Sequence, residues 1–271
     1  MKDNECVGFL QWCLPQLRLR WAGFRKVRKQ VCKRISRRMN ELELHIPQAY
    51  KAYISTHPDE WKILDSMCRI TISRFHRDRG VFDTIRSSVL PEIAAAASNR
   101  GEDVIHSWSV GCGSGEEPYT LQILWKLYVT PMDSNFPRLR ITATDIEAHL
   151  LNRARRGSFL KSTLKDMPEE LIQRGFDKVD EGFVIRKPFQ EGIDFTEQDI
   201  RERMPGGPFH LVLCRNLVFT YFEKSLQIEL LEKIIEKLVP GGFFVVGIHE
   251  KLPLSDDRTI RLRYRPCIYQ K

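Results

Sequence analysis

From residue 104 onward, apolar runs of strand length alternate with segments that have the apolar periodicity of helices. The apolar runs are 104–110, 139–144, 209–214 and 243–248, and the helical segments are 116–129, 146–156 and 224–238. Strands that alternate with helices indicate a parallel sheet in which a helix connects each strand to the next. The sequence therefore predicts an α/β fold for this part of the chain.

The remaining segments do not follow this alternation. Residues 15–70 contain several short helical patterns, including 47–54 and 59–67, and a polar, basic connector follows them. The stretch 157–190 mixes charges and includes Pro168 and Gly182, which indicates an insertion. We therefore predict two domains and one small subdomain. They are an N-terminal basic helical domain with its connector at 1–78, a sheet domain at 79–271, and the subdomain at 157–190.

A glycine-rich turn follows the first predicted strand and leads into a helix. Gly111, Gly113 and Gly115 in such a turn let the backbone approach a ligand closely. Glu116 and Glu117 come next, and at about 4 Å their carboxylates would repel a pyrophosphate by several kcal/mol. The turn also lacks the lysine of a phosphate-binding loop. It suits a cationic ligand without phosphates, such as S-adenosylmethionine (SAM); alternatively, the two glutamates only complement the helix dipole.

Two aspartates follow predicted strands of the same sheet. Asp145 comes directly after 139–144, and an acid at the carboxyl end of a neighbouring parallel strand holds ribose hydroxyls in Rossmann-like sites. Its alternative role is to cap the helix that follows. Asp199 follows a further strand candidate around Phe195 and is a candidate for contact with an adenine amino group.

The net charge of +8 comes from one N-terminal element. Residues 6–40 contain ten lysines and arginines and no acidic residue. Apolar side chains recur every three or four positions from Leu17 to Leu42, so we predict one helix over 17–42 with a basic face. A solvated face is one interpretation. Repulsion among so many cations favours the other, an acidic partner such as nucleic acid, anionic lipid or an acidic protein surface.

Cysteine spacing and the apolar pattern indicate the compartment. The seven cysteines are scattered and include no C-x-x-C pair, so we predict free thiols, no disulfide framework and no bound metal. No apolar stretch approaches the about 20 residues that a membrane span needs, and the first residues do not resemble a secretory signal. These features predict a cytoplasmic protein.

Four short motifs lie at or near the ends of the predicted strands. They are W-S-V-G-C-G-S-G-E-E-P-Y-T at 108–120, A-T-D-I at 143–146, C-R-N-L at 214–217 and G-I-H-E at 247–250. Each resembles a motif of the CheR chemotaxis protein methyltransferases, which transfer a methyl group from SAM to glutamate side chains of chemoreceptors. The helical N-terminal segment also fits, so the resemblance covers about residues 20–252.

The resemblance implies a fold, an activity and a set of site residues. We expect a Rossmann-like class I SAM-dependent methyltransferase sheet with an N-terminal helical domain and a small β insertion, and a protein-glutamate O-methyltransferase activity. The expected catalytic residues are Arg77, near the methyl group and the incoming carboxylate, and Tyr221, near the sulfonium. The expected cofactor-binding residues are Thr71, Ser73, Arg77, Gly111, Gly113, Glu117, Asp145, Asp199, Ile200, Arg215 and Asn216. The expected partner is the acidic helical cytoplasmic region of chemoreceptors, bound by the basic helix 17–42.

The chain departs from the family pattern at two places. Thr71, Ser73 and His76 replace the Asn, the Thr and the second Phe of the family's N-x-T-x-F-F-R segment, while its arginine is kept. Family members have a tyrosine four residues after the C-R-N asparagine. Thr220 holds that position here, and Tyr221 follows it. Either the turn carries an extra residue and Tyr221 takes the role, or the role is altered.

Three other functions stay open. The departures at Thr71, Ser73 and Thr220 are compatible with a SAM-binding regulatory or scaffold module without activity. A methyltransferase that acts on another acidic protein is the second alternative, and the basic helix suggests the third, a methyltransferase that acts on nucleic acid. The last is disfavoured, because C-R-N-L at 214–217 occupies the place of the Asn/Asp-Pro-Pro-Tyr/Phe run typical of base methylation. Segment 157–190 lies where the family carries a small β-subdomain that docks receptor tails, and whether it does so here stays open.

Overall fold

A computed structural model describes residues 1–133, 136–253 and 260–271 of the chain. The chain forms two compact units. The first unit contains Met1–Thr71 and Leu217–Ile228, and the second unit contains Ile72–Asn216 and Glu229–Lys271. Within the three described ranges, no helix combines the length and the apolar character that crossing a membrane requires.

Helices occur in both units. They are α1 (Asp3–Gln16), α2 (Trp21–Phe24), α3 (Arg28–Glu41), α4 (Pro47–Thr56), α5 (Glu60–Cys68), α6 (Arg79–Thr84), α7 (Leu90–Asn99), α8 (Glu116–Leu124), α9 (Ala148–Arg156), α10 (Glu169–Gly175), α11 (Val218–Tyr221) and α12 (Lys224–Glu236). A π-helical turn, Ile85–Val89, joins α6 to α7, and another, Trp125–Val129, extends α8. The predicted helix 116–129 is thus helical throughout.

The strands form two sheets. They are β1 (Val104–Val110), β2 (Arg138–Asp145), β3 (Ser158–Phe159), β4 (Phe176–Val179), β5 (Gly182–Ile185), β6 (Ile193–Glu197), β7 (Phe209–Cys214), β8 (Leu238–Val246), β9 (Arg261–Leu262) and β10 (Ile268–Gln270). The larger sheet has the order β6-β2-β1-β7-β8-β10-β9, and β3, β5 and β4 form the smaller sheet.

The larger sheet confirms the predicted fold class. Strands β6, β2, β1, β7 and β8 run parallel, whereas β10 is antiparallel to β8. All six residues of β7 are buried, as expected for a strand with helices on both faces of its sheet. The strand order reverses between β1 and β7, and open sheets of this Rossmann-like kind bind ligands at the carboxyl ends of the strands beside such a reversal.

The predicted strand boundaries hold best for the most continuous apolar runs. Predictions 104–110 and 209–214 coincide with β1 and β7. Prediction 243–248 is wrong at both ends. Strand β8 begins at Leu238, which pairs with Phe209 across a register shift, and it ends at Val246 because Gly247 begins a turn.

The prediction of one helix over 17–42 is wrong. Helices α2 and α3 are separate, and residues 17–20 before them are not helical because Leu19 forms a β-bridge with Phe222. Arg18, with φ of 55°, turns the backbone into this bridge. Apolar periodicity cannot reveal such a break, because the partner strand residue lies far away in the sequence. The periodic positions of α3 are nevertheless buried, namely Val31, Ile35 and Met39.

The prediction that all thiols are free is wrong for one pair. Cys6 on α1 and Cys32 on α3 form a disulfide across 26 positions of the sequence. Spacing rules miss this pair because packing of α1 against α3, and not proximity along the chain, brings the two sulfurs together. The other cysteines are buried and are not part of this disulfide: Cys13, Cys68, Cys112, Cys214 and Cys267.

The smaller sheet lies within segment 157–190 and packs on aromatic rings of the second unit. The Phe75 ring meets the rings of Phe159 and Phe176 edge to face, at centroid distances of 4.7 and 5.0 Å. Gly182 admits no side chain, since a Cβ there would lie 2.3 Å from the Phe159 carbonyl oxygen. A compact three-stranded insertion therefore covers the connector that contains Phe75.

Candidate functional site

The glycine turn between β1 and α8 is built from left-handed backbone. Gly111, Gly113 and Gly115 have φ of 66°, 58° and 92°, a range that residues with a Cβ rarely adopt. The N–H of Cys112 donates to the Thr144 carbonyl at 3.0 Å, which ties the turn to the end of β2. The turn thus lies at the carboxyl edge of the sheet, beside the reversal of strand order.

Asp145, the last residue of β2, holds this turn in place. Its Oδ2 accepts the N–H of Gly113 at 2.8 Å, and its Oδ1 accepts the N–H of Glu147 at 2.9 Å. Burial raises the pKa of the Asp145 carboxyl above its usual range, although these amides oppose the effect. Helix α9 begins at Ala148 with Glu147 as its N-cap, so Asp145 does not cap that helix. Its contact with ribose stays a prediction.

Glu116 and Glu117 have different environments. Glu116 is 2% exposed, and its Oε2 finds no hydrogen-bond partner in the part of the chain that the structure describes. Burial raises the pKa of Glu116, and hydrogen bonds from its own amide and from Ser73 offset part of this rise. Glu117 accepts hydrogen bonds from Ser109 Oγ at 2.8 Å and from Arg215 Nη1 at 3.0 Å. Of these two acids, Glu116 retains an unsatisfied oxygen for a cationic group.

Arg215, directly after β7, is the centre of a buried ionic cluster. Its Nη1 donates to Glu117, and its Nη2 donates to Asp78 Oδ2 at 2.7 Å and to the Arg77 carbonyl at 2.8 Å. The guanidinium also lies 5.0 Å from the centroid of the Phe82 ring. Only 3% of the Arg215 side chain is exposed. We call these five residues the Arg215 cluster, in which one guanidinium pairs with two carboxylates.

The connector that contains Arg77 has a strained backbone. His76 and Asp78, on either side of Arg77, have φ of 54° and 62°, a region that is costly for residues with side chains. The His76 N–H donates to Thr120 Oγ1 at 3.2 Å, and its ring stacks on the Phe82 ring at 5.4 Å. Burial lowers the pKa of His76 to about 4, so the ring is neutral near pH 7. An aromatic ring is therefore kept where the motif comparison expects Phe.

The chain after β7 is held by a residue that the motif analysis did not assign. Asn216 is left-handed with φ of 57°, and its N–H donates to Glu250 Oε2 at 2.8 Å. The Gly247 N–H donates to the same oxygen at 2.7 Å. The sequence feature that could have identified Glu250 is its position three residues after Gly247, just beyond a buried strand.

The other predicted residues of the second unit have partners of their own. Arg77 Nη1 donates to the Ile72 carbonyl at 2.6 Å. Asp199 follows β6 and forms an ion pair with Arg201 at 2.7 Å, and Ile200 beside it is 7% exposed. The assignment of Asp199 and Ile200 to the adenine stays a prediction.

Two predicted residues belong to the first unit. Thr71 is exposed at the end of that unit. The Tyr221 ring packs against the Phe24 ring with 5.1 Å between centroids, and its carbonyl accepts the N–H of Arg20 at 2.8 Å. Arg20 Nε donates to the Thr220 carbonyl at 3.0 Å. The roles predicted for Thr71 and Tyr221 stay predictions.

The residues at the carboxyl edge of the sheet fit a cationic cofactor. The buried Glu116 Oε2 accepts no hydrogen bond among the described residues, whereas buried polar groups are usually paired. Asp145 is a half-buried carboxylate beside the same turn. The first helical positions of α8 are glutamates, which do not suit a phosphate. The chemistry of these donors therefore agrees with a phosphate-free cation.

The sequence matches a known family over most of its length. Residues 71–266 match the family model described as "CheR methyltransferase, SAM binding domain". The matched domain confirms the predicted cofactor, SAM.

Individual proteins also resemble the chain. A chemotaxis protein methyltransferase of Borreliella burgdorferi is 29% identical over 66% of this chain and 63% of its own length. An uncharacterized 104.1 kDa protein of Rhodobacter capsulatus is 27% identical over 89% of this chain and 25% of its own length. The chain thus spans less than two thirds of the length of these two relatives. Among solved structures, the N-methyltransferase NodS of Bradyrhizobium japonicum in complex with S-adenosyl-L-homocysteine (SAH) has a TM-score of 0.33 at 15% identity, covering 67% of this chain and 66% of its own.

Proposed function

The chain belongs to the CheR methyltransferase family, and from this premise we propose that it transfers a methyl group from SAM to glutamate side chains of chemoreceptors. The product is a glutamate methyl ester. The observation that carries the proposal is the family match over residues 71–266. The name of the Borreliella relative, a chemotaxis protein methyltransferase, supports a receptor as the substrate. The proposed compartment is the cytoplasm, where the acidic helices of such receptors lie.

The glycine turn, Glu116 and Asp145 are the groups that we assign to holding the cofactor. Bound SAM supplies an electrophilic methyl group on a sulfonium centre. The left-handed glycines permit close approach of the backbone. Burial raises the pKa values of both acids, and a neighbouring cation favours the charged form of such a carboxyl.

The contribution of this chain to the reaction is alignment of the incoming carboxylate. A glutamate carboxylate is ionised at neutral pH, so it needs no general base. Correct alignment contributes about 7–11 kcal/mol in well-oriented reactions. We assign this role to the Arg77 guanidinium, which presents a fork to a carboxylate. The Arg215 cluster supports the assignment, because Arg215 Nη2 holds the backbone carbonyl of Arg77. Tyr221 keeps the role beside the sulfonium that the resemblance implies.

Helix α3 supports an acidic helical partner. Its inward arginines are occupied within the first unit: Arg34 donates to backbone carbonyls, and Arg38 pairs with the buried Glu60. Lys29, Lys33 and Arg37 are exposed and spaced four positions apart, so they lie along one face of the helix. A row of cations on a helix complements an acidic stripe and speeds encounter at low salt. The basic face proposed for the partner is therefore this row, which belongs to α3.

The proposal is tested by transfer of radiolabelled methyl from SAM into a panel of receptor cytoplasmic fragments. Label that mild base releases indicates an ester on a carboxylate. Arg77→Ala should reduce incorporation strongly while SAH still binds, because Arg77 is assigned to the acceptor carboxylate.

Three results would contradict parts of the proposal. Tight SAH binding with no incorporation into any fragment favours a SAM-binding module without activity. Label in another acidic protein or in nucleic acid moves the substrate elsewhere. Unchanged transfer by Arg77→Ala refutes the role of Arg77.

A further inference from the structure

Two backbone amides lose their sheet partners where β7 and β8 end. Cys214 and Val246 are the last residues that pair in this part of the sheet. The N–H groups of Asn216 and Gly247, just beyond them, both donate to Glu250 Oε2, at 2.8 and 2.7 Å. One carboxylate oxygen therefore joins the carboxyl ends of two neighbouring strands.

The chain reaches these amides through a tight turn. The Glu250 N–H donates to the Gly247 carbonyl at 2.9 Å, and the turn residues Ile248 and His249 are exposed. Gly247 admits no side chain, because a Cβ there would lie 2.8 Å from Asn216 Oδ1 and 2.9 Å from Glu250 Oε2. Glu250 itself is 5% exposed. We call Asn216, Gly247 and Glu250 the strand-end clasp.

The clasp holds a backbone conformation that costs free energy. Asn216 has φ of 57°, and such residues persist only when their surroundings fix them. Here the Asn216 N–H donates to the Glu250 carboxyl, which fixes this conformation. Arg215, which precedes Asn216, is fixed on its side-chain end by Glu117 and Asp78. Glu250 fixes the backbone directly after Arg215, at the Asn216 N–H.

We propose that Glu250 is a positioning residue of the SAM pocket: it holds the Arg215–Asn216 backbone in the conformation that binds the cofactor. Glu250 acts through these amides and does not contact the cofactor. The proposal rests on the assignment of the carboxyl edge to SAM and deepens it. It gives a function to the last residue of G-I-H-E.

Two substitutions separate position from charge. Glu250→Gln keeps the length of the side chain and an oxygen that accepts both N–H groups, but it removes the charge. Glu250→Asp keeps the charge but is one methylene shorter, so its carboxylate does not reach both amides. We expect Glu250→Asp to weaken SAH binding about tenfold in calorimetric titration, and Glu250→Gln to remain within about threefold of wild type.

Further variants test the same contacts and the same turn. The added methyl group of Gly247→Ala would clash with the side chains of both Asn216 and Glu250. This variant should therefore also weaken SAH binding about tenfold. His249→Ala changes an exposed neighbour in the same turn and should leave SAH affinity unchanged. In amide NMR spectra, the Asn216 and Gly247 signals should move upfield in Glu250→Asp, because they lose a carboxylate acceptor.

Each alternative result would overturn the positioning role. If Glu250→Asp lowers the melting temperature but binds SAH like wild type, Glu250 is only structural. If Glu250→Gln binds as weakly as Glu250→Asp or more weakly, the charge acts on the ligand. These titrations need no methyl acceptor, so failure to methylate any receptor fragment refutes the proposed function without refuting the clasp. If the wild type binds no SAH, both proposals fail.

Discussion

Two arginines, one in each unit, make the same kind of ion pair with carboxylates for different purposes. In the first unit, Arg38 Nε and Nη2 both donate to the Glu60 carboxylate at 2.8 Å, and the Tyr50 hydroxyl donates to it at 2.8 Å. These residues lie on α3, α5 and α4. In the second unit, Arg215 divides its hydrogen bonds between Glu117, Asp78 and a backbone carbonyl.

The difference lies in what each cation holds together. The Arg38 pair joins regular helices, whose backbone amides and carbonyls already have helical partners. The Arg215 cluster joins the end of β7, the start of α8 and a connector that lies outside helices and strands and contains two left-handed residues. Strained backbone of this kind concentrates at functional sites. We therefore expect Arg38 to affect stability alone, and Arg215 to affect stability and cofactor binding together.

Arg215→Ala should have the largest effect. It leaves the partly buried Glu117 and Asp78 carboxylates without their cation, which should lower the free energy of unfolding by about 3–5 kcal/mol in urea titrations. SAH binding by the remaining folded protein should be lost, because the connector and the chain after β7 lose their shared anchor. Arg215→Lys, which keeps the charge but not the fork, should fall between this variant and wild type. A folded Arg215→Ala protein with wild-type SAH affinity would show that Arg215, like Arg38, affects stability alone.

Arg38→Ala is the matched variant in the first unit. It should lower the free energy of unfolding by about 2–3 kcal/mol, somewhat less than Arg215→Ala, because 24% of the Arg38 side chain is exposed. SAH affinity, measured by calorimetry on protein shown to be folded by circular dichroism, should not change. A loss of SAH affinity would remove the distinction between the two clusters.

The Arg38 pair should also depend on pH in a defined direction. The hydrogen bond from Arg38 lowers the pKa of Glu60 below its usual 4.5. A carboxyl whose pKa is lower in the folded state contributes stability that is complete above about pH 4.5 and is lost as the pH falls through the lowered value. The stability difference between wild type and Arg38→Ala should therefore shrink in acid. A constant difference between pH 7 and pH 3 would argue against an ionic contribution.

The sequence predicted the two regions unequally. Strands β1 and β7 are continuous apolar runs, and the glycine turn follows from local conformational rules, so both were found. The helix over 17–42 failed because its local periodicity is overruled by the pairing of Leu19 with Phe222. The Arg215 cluster could not be derived from spacing, because its contacts to Glu117 and Asp78 cross 98 and 137 positions. The motifs identified Arg215 as a site residue, but they did not identify the groups to which its guanidinium donates hydrogen bonds.

Glu116→Gln should have a smaller and opposite effect on stability. Glu116 is the buried acid of the glycine turn that the Arg215 cluster does not neutralise, and burial raises its pKa above the usual 4.5. Its folded form then binds more protons than the unfolded chain, so wild-type stability falls as the pH rises from about 4.5 through the raised value. At pH 7 the amide should raise the melting temperature by about 2–4 °C, the equivalent of about 1 kcal/mol.

The gain from Glu116→Gln should shrink as the pH falls and disappear below about pH 4.5, where the unfolded and folded carboxyls are both largely protonated. SAM affinity should fall at the same time, because the amide removes a negative charge assigned to the cationic cofactor. Stabilisation without loss of SAM affinity would show that Glu116 is only a buried helix-start residue.

Charge reversal on the outer face of α3 should have the smallest effect on stability and tests the same helix from its other side. Lys29 and Lys33 are exposed, whereas Arg38 points inward. Lys29→Glu with Lys33→Glu should change the free energy of unfolding by no more than about 0.5 kcal/mol. It should raise the KM for an acidic receptor fragment several-fold at low salt, and the effect should shrink as salt screens the charges. Lys62→Glu, an exposed lysine on α5, is the control and should leave KM unchanged. If the control raises KM equally, net charge guides the substrate and the α3 row has no specific role. If only the α3 variant raises KM, one helix has two functions: its inward arginine contributes stability, and its outward lysines recognise the substrate.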